Sequence, residues 1–347
     1  MVQVTLAADK LVAHAARAQE IALKAQVKAL RAEVKRLEKN VHTANVRAEV
    51  VAGLKASARV PRPLRYTKNL HKRVATPVLL CSDWHVGERV AADKVNGVNA
   101  YDQREATHRA HRLADALLWL VEHHRNSFEI RELVLWLGGD LITGYLHPEQ
   151  HQDNTLPPSH EVLLVQDLVY NLVNRALSLP GIERVLLPCS FGNHGRTQPK
   201  PMVSRGAENS FEWLLYQQLA RAYASESRVE FQIASGEFLR TKVHNTTLGW
   251  HHGDSVKYGG GVGGMLVPLM RALPRWNSFG HVDRWNVGHF HVYHDAPGLV
   301  VNSSLIGTSP FGMRVGGYEA PSQAFYLVDS KRGPCQSTKI WVTGGKS

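Results

Sequence analysis

Asp83 and His85 stand two residues apart where an apolar run ends, in the cluster Ser82-Asp83-Trp84-His85-Val86-Gly87. A carboxylate and an imidazole leaving a strand together can point into one crevice, and that pair suits Mn, Fe, Zn or Ni. Alone, D-x-H is a weak signal, because a hydrogen-bonded Asp and a satisfied core His give the same letters. A second cluster, Gly138-Gly139-Asp140-Leu141, again follows an apolar run. Its glycines permit a tight turn that presents the carboxylate. The two oxygens of Asp140 can bridge two cations, which an imidazole cannot do, although a plain turn Asp reads the same way. In Phe191-Gly192-Asn193-His194-Gly195-Arg196, an amide, an imidazole and a guanidinium follow a glycine. Asn193 can give its carbonyl oxygen to a metal, His194 is a candidate acid, and Arg196 is a candidate clamp on a phosphoryl oxygen. Two further clusters are His251-His252-Gly253-Asp254 and Gly288-His289-Phe290-His291. Spacing of i and i+2 puts His289 and His291 on one side of a strand, where neighbouring side chains can converge on adjacent metals. A purely structural role would require every one of these imidazoles to be satisfied by other means.

In this order, D-x-H, G-D, G-N-H, H-G and G-H-x-H, the chain resembles the calcineurin-like metallophosphoesterase family over roughly residues 76–330. The resemblance implies a four-layer α/β sandwich of two mixed β-sheets flanked by helices. It implies two divalent metal ions, one held by Asp83, His85, Asp140 and His291, the other by Asp140, Asn193, His252 and His289, with Asp140 bridging. His252 is preferred to His251 because the family ligand immediately precedes the glycine. His194 matches the family's catalytic histidine, which is not a ligand. The implied reaction is phosphoester hydrolysis by a hydroxide held between the metals, with no covalent intermediate, so Ser82 and Ser190 need no nucleophilic role. Mn is the first choice of ion by analogy with nucleases of this scaffold, and Fe, Zn, Ni or Mg would also suit the donors. Two positions depart from the family pattern. Thr143 stands where many members carry an acid, and Gly195 follows G-N-H where many have Asp or Glu. His194 therefore needs another orienting group, for which Asp254 is a candidate.

These clusters need strands to deliver them. Val78–Cys81, Leu133–Leu137 and Val185–Leu187 are short apolar runs, each leading into a cluster. Between them lie amphipathic helical stretches at about 104–124, 159–177 and 208–224, an α/β alternation that places function beyond the strand ends. From residue 229 onward the pattern is strand-rich, with runs at 229–233, 241–248, 286–293, 298–302 and 324–328. Residues 8–58 have a helical composition. Within them Leu23, Val27, Leu30, Val34, Leu37 and Val41 recur at alternating spacings of four and three, an a/d pattern. Such a seam suits a hairpin, packing on the main domain, or a weak dimer. The expected organisation is a basic helical segment 1–60, a linker 61–75 marked by Pro61 and Pro63, a phosphoesterase domain 76–333 and a tail 334–347.

Composition bounds the partners. The 347 residues are 44% hydrophobic and 20% charged, as in a folded protein, and carry a formal charge of +11. Net positive charge favours an anionic partner, and Lys24, Lys28, Arg31, Lys35, Arg36 and Lys39 outnumber Glu33 and Glu38 on the N-terminal helix. Together with the resemblance to the scaffold used by phage-type or Mre11/SbcD-type DNA nucleases, this charge makes DNA the leading substrate, through a phosphodiesterase or nuclease activity. The alternatives are a small phosphoester, a nucleotide or a phosphoprotein, and a nucleic-acid-binding protein with a vestigial metal site. Candidate substrate walls are His147–Thr155, Tyr258 with Gly259–Gly264, Arg271, Arg275 and Arg284, and the loop Ser309–Arg314. The N-terminal helix is a candidate for self-association or a protein partner. Cys81, Cys189 and Cys335 have no metal or disulfide spacing. The absence of an apolar run of about 18 residues and of a secretory signal makes a cytoplasmic protein the expectation, with no membrane partner.

Overall fold

The computed structural model describes residues 2–57, 72–257, 264–315 and 318–344. The linker prolines Pro61 and Pro63, and Tyr258 with most of the glycine cluster after it, lie outside the described residues. Along the chain run α1 (Val2–Ser57), β1 (Arg73–Cys81), α2 (Gln103–His124), β2 (Phe128–Glu129), β3 (Glu132–Leu137), α3 (Gln150–Asp153), α4 (Pro158–Ser178) and β4 (Arg184–Cys189). Then follow α5 (Phe211–Ala222), β5 (Val229–Ile233), β6 (Phe238–Val243), β7 (Thr246–His251), α6 (Leu266–Asn277) and β8 (Arg284–Val287). β9 (His294–Ala296), β10 (Leu299–Val301), α7 (Pro310–Val315), β11 (Ser322–Asp329) and β12 (Gly333–Trp341) complete the order. Helix α1 falls in one compact unit, Met1–Asn69, and the remaining elements fall in a second, Leu70–Ser347.

Two mixed sheets make up the second unit. The larger has the order β12-β11-β1-β3-β4-β5, with β2 beside β1, and the smaller has the order β6-β7-β8-β10-β9. β1, β3, β4 and β5 run parallel, so their carboxyl ends share one edge, while β11 runs antiparallel to β1 and β12 antiparallel to β11. Residue alternation then sorts the side chains into layers. Leu79, Leu133, Leu135 and Leu187 face Leu113 and Leu117 of α2, Val165 and Val169 of α4, and Leu215 of α5. Their neighbours Val78, Leu80, Val134, Trp136 and Leu186 point the other way and meet Leu248, Trp250 and Val300 of the smaller sheet. That sheet's outer face, through Trp285, Val287, Leu299 and Val301, is covered by Leu269, Leu273 and Trp276 of α6. Helix, sheet, sheet and helix form the four-layer sandwich that the resemblance implied.

Several local expectations change. Residues 241–248 are not one strand but a hairpin between β6 and β7, turning at His244, whose φ is +53°. Helix α6 was missed because Pro268 and Pro274 interrupt its pattern; Pro274 lies inside the helix. The segment at Ser309–Arg314 holds the short helix α7 instead of a loop. β12 pairs with β11 along the sheet edge from Gly333 to Trp341. Among the described residues no helix is long and apolar enough to cross a membrane.

Candidate metal centre

Each polar cluster sits just beyond the carboxyl end of a strand: β1, β3 and β4 in one sheet, β7 and β8 in the other. The loops lock together through backbone. Asp83 N donates to Gly139 O at 3.0 Å, His85 N to Asp140 O at 3.0 Å, and Gly288 N to His252 O at 2.8 Å. The two sheets are tied at the site itself, where His289 N donates to Asp83 Oδ1 at 2.9 Å. Asp83, His85, Asp140, His289 and His291 all have φ between +49° and +70°. Left-handed backbone costs a non-glycine residue roughly 1 kcal/mol or more, and here it is concentrated on the residues that carry the chemistry. It also corrects one expectation. His289 and His291 do not share the face of a strand, because β8 ends at Val287 and both lie in the left-handed loop beyond it. Their convergence is made by the loop.

Two groups of donors result. Asp83, His85 and His291 form one, with His291 Nε2 at 3.3 Å from Asp83 Oδ1 and 3.1 Å from His85 Nε2. Asp140, His252 and His289 form the other, with His252 Nε2 at 2.9 Å from Asp140 Oδ2. Asp140 also clusters with His85 and His194, so it stands between the two groups. Within each group the ligand atoms lie within 4.8 Å of one another. Asn193 Oδ1 is buried with no hydrogen-bond partner among the described residues, and so is His85 Nδ1. A buried carbonyl oxygen without a donor is costly unless something supplies positive charge. His252 Nδ1 donates to Gly138 O at 2.8 Å, which leaves the proton on Nε2, facing Asp140, as the one a cation would displace. The donor set therefore fits divalent-cation binding, with Asp140 among the donors of two of the clusters.

Electrostatics agree with this geometry. Burial pushes the His85 imidazole well below its usual range, helped by the neighbouring His194 and His291. Burial alone would raise Asp140, but the facing His252, with His194 and His85, outweighs it and holds the carboxyl well below the carboxylate range. His252 shows the reciprocal effect, held well above its ordinary value by Asp140 against the opposing effect of burial. Burial takes His289 down to about 4, reinforced by His252.

His194 packs edge-on against His85, ring centroids 4.6 Å apart, and its Nδ1 donates to Thr143 O at 2.8 Å. The nearest orienting group is therefore a backbone carbonyl at the position where an acid was expected, with the Gln150 side-chain amide 3.2 Å from the same ring nitrogen. Asp254 is engaged elsewhere, accepting from Arg196 Nη2 at 2.5 Å. His251 faces away from the donors and stacks on Trp276, centroids 4.4 Å apart.

Sequence reasoning missed Glu212. Its buried carboxylate accepts from Leu141 N at 2.6 Å and Gly192 N at 2.7 Å, pinning the loops that carry Asp140 and Asn193. Burial, with Asp140 nearby, raises it to about 7. The available signal was its position on the buried face of α5 with Leu215, Tyr216 and Leu219, where a charged residue is out of place without partners. Glu161, buried on α4, likewise holds Gly144 N at 2.8 Å.

No family model matches the chain, and no curated relative matches it. Among solved structures, the chain is similar to Vps29 of Entamoeba histolytica complexed with zinc, at 16% identity over 77% of this chain and 99% of that one, TM-score 0.32. It is also similar to the calcineurin-like phosphoesterase YfkN of Bacillus subtilis, at 11% identity over 78% of this chain and 91% of that one, TM-score 0.32. The functional reading rests on the side chains.

Proposed function

We propose that this chain is a divalent-metal-dependent phosphoester hydrolase and that its substrate is a DNA phosphodiester. The observation that carries the hydrolase reading is Asp140, a buried carboxylate standing between two groups of oxygen and nitrogen donors with His194 beside it. Asp83, His85, Asp140 and His291 would hold one ion, and Asp140, Asn193, His252 and His289 the other. When bound, such ions neutralise charge on phosphoryl oxygens and make bound water more acidic.

The chain's own groups account for orientation and proton transfer. Thr143 O fixes the His194 ring through Nδ1, so Nε2 faces the donor cluster. In its protonated form that nitrogen gives a hydrogen bond, and then a proton, to the leaving oxygen. Arg196 is half-buried and keeps guanidinium donors beyond the one taken by Asp254, which suits a clamp on a non-bridging oxygen. Asp254 thereby positions Arg196. The chain offers Ser82 no nucleophilic role, since its hydroxyl donates to Asp83 Oδ2 at 2.5 Å and accepts from Asn302 Nδ2 at 2.9 Å.

DNA is supported by the charge of +11 and by exposed Lys24, Lys28, Arg31, Lys35, Arg36 and Lys39 on α1, since phosphate contacts by Lys and Arg need no sequence readout. The test is Mn-dependent cleavage of labelled single-stranded and duplex DNA beside a generic phosphomonoester and phosphodiester, using wild type, Asp140→Ala and His194→Ala. DNA cleavage lost in both variants supports the proposal. Turnover of small esters with DNA left intact would retain the hydrolase and remove the nuclease.

A further inference from the structure

Helix α1 is 56 residues long, and every side chain described on it is exposed. Leu23, Val27, Leu30, Val34, Leu37 and Val41 form one stripe along it, with exposures of 62%, 42%, 61%, 53%, 51% and 58%. An apolar stripe of this regularity belongs against another helix. Shallow grooves lie between its side chains, one lined by Val27, Leu30, Val34 and Glu38 among others, the next by Val34, Leu37, Val41 and Asn45 among others. Those are the holes that knobs of a facing helix fill.

We propose that α1 pairs with α1 of a second copy of this chain as a parallel two-stranded coiled coil. The spacing fixes the heptad: Val27, Val34 and Val41 occupy a, and Leu23, Leu30 and Leu37 occupy d. β-Branched residues at a with Leu at d select two parallel strands over three or four. The charges beside the seam do not suit an acidic peptide or a polyanion lying in the seam itself. Lys28 and Lys35 at b, Arg36 at c and Lys39 at f lie off the seam, whereas the flanking e and g positions are mixed, with Lys24, Arg31 and Glu38 at e and Gln26, Glu33 and Asn40 at g. An acidic partner would require basic flanks on both sides. Pairing through the seam leaves the basic outer face of each helix free, so the dimer does not depend on the hydrolase reading and is compatible with it.

The parallel register makes a sharp demand. Residue g of one helix faces e of the next heptad on the other, which sets Glu33 against Glu38 of the second copy, twice by symmetry. Glu38→Lys converts both repulsions into attractions and should tighten the dimer by about tenfold. In an antiparallel pair centred on the same stripe, Glu38 instead faces Lys24 of the second copy, and the same substitution weakens association. The experiment is sedimentation equilibrium on the full chain for wild type, Glu38→Lys and Leu30→Glu/Leu37→Glu. Glutamate is a good helix former, so far-UV circular dichroism of the double variant checks that helix content survives. Expected are a dimer for wild type, a tighter dimer for Glu38→Lys and a monomer for the double variant. A monomeric wild type, a trimer or tetramer, a dimer indifferent to the double variant, or a dimer loosened by Glu38→Lys would each overturn the proposal.

Discussion

Replacing Gly192 by alanine should disable the candidate metal centre without removing any donor residue. A Cβ at this position would lie 2.5 Å from the Asp140 amide nitrogen and closer still to Asp140 Oδ1. Neither atom can give way cheaply, since one is backbone and the other belongs to the carboxylate held against His252 and the His194 amide. Relief therefore requires the 191–193 and 139–141 loops to part by about 1 Å, at an overpacking cost of roughly 1–3 kcal/mol. For a unit of this size that lowers the melting temperature by only about 2–10 °C, leaving a folded protein. The same displacement moves Asp140 relative to Asn193, and an error of about 1 Å in a reacting constellation costs on the order of a hundredfold in rate. Gly236→Ala is the matched control, because a Cβ there meets nothing within 4 Å. Thermal melts, calorimetric Mn titration and phosphodiester turnover would be compared across the three proteins. A Gly192→Ala protein that binds Mn and turns over within about twofold of wild type would refute the claim that this backbone contact sets the position of Asp140.

Three further outcomes follow from single residues. His194→Asn should lower kcat by roughly a hundred- to ten-thousandfold while leaving Mn stoichiometry unchanged, as for loss of a proton donor that is not a ligand; loss of Mn binding would make His194 a ligand instead. Glu212→Gln puts an amide NH2 against either Leu141 N or Gly192 N and should cost about 1–3 kcal/mol in chemical denaturation, and no loss of stability would show that the two loops are held by other means. Burial raises Glu161 from 4.5 to about 8, so between those values the unfolded chain releases this proton while the folded chain keeps it. Stability from this group is complete below pH 4.5 and falls as pH rises towards 8, by at most about 5 kcal/mol. Glu161→Gln should therefore gain on wild type as pH rises through that window, and a pH-independent difference between their melting temperatures would contradict the assignment.

The parts of this molecule legible in the sequence are those where local pattern and tertiary role coincide. Val78–Cys81 and Leu133–Leu137 read as strands because they are buried on both faces, and the structure places them next to each other in the larger sheet. The polar clusters were legible because each follows such a run. Sequence spacing misled where backbone conformation takes over. The i and i+2 spacing of His289 and His291 suggested a strand face, but left-handed φ at both residues sets their direction. The Thr143 carbonyl that orients His194 could not be read at all, because every residue has a main-chain carbonyl. Glu212 and Glu161 were hidden for the opposite reason, since each sits in a helix that reads as ordinary amphipathic packing. Helix α6 was obscured by Pro268 and Pro274, and the 241–248 hairpin by a turn that carries no glycine.

Under the proposed function one carboxylate, Asp140, would serve two cations. Calorimetric titration of Mn into metal-free wild type and Asp140→Ala, run beside phosphodiester turnover at each Mn addition, tests it most directly. Two ions per wild-type chain are expected, with turnover appearing as the second site fills, and both the second ion and turnover should be lost in Asp140→Ala. Turnover that persists without added metal, or an Asp140→Ala chain that still binds two ions and hydrolyses the ester, would contradict it.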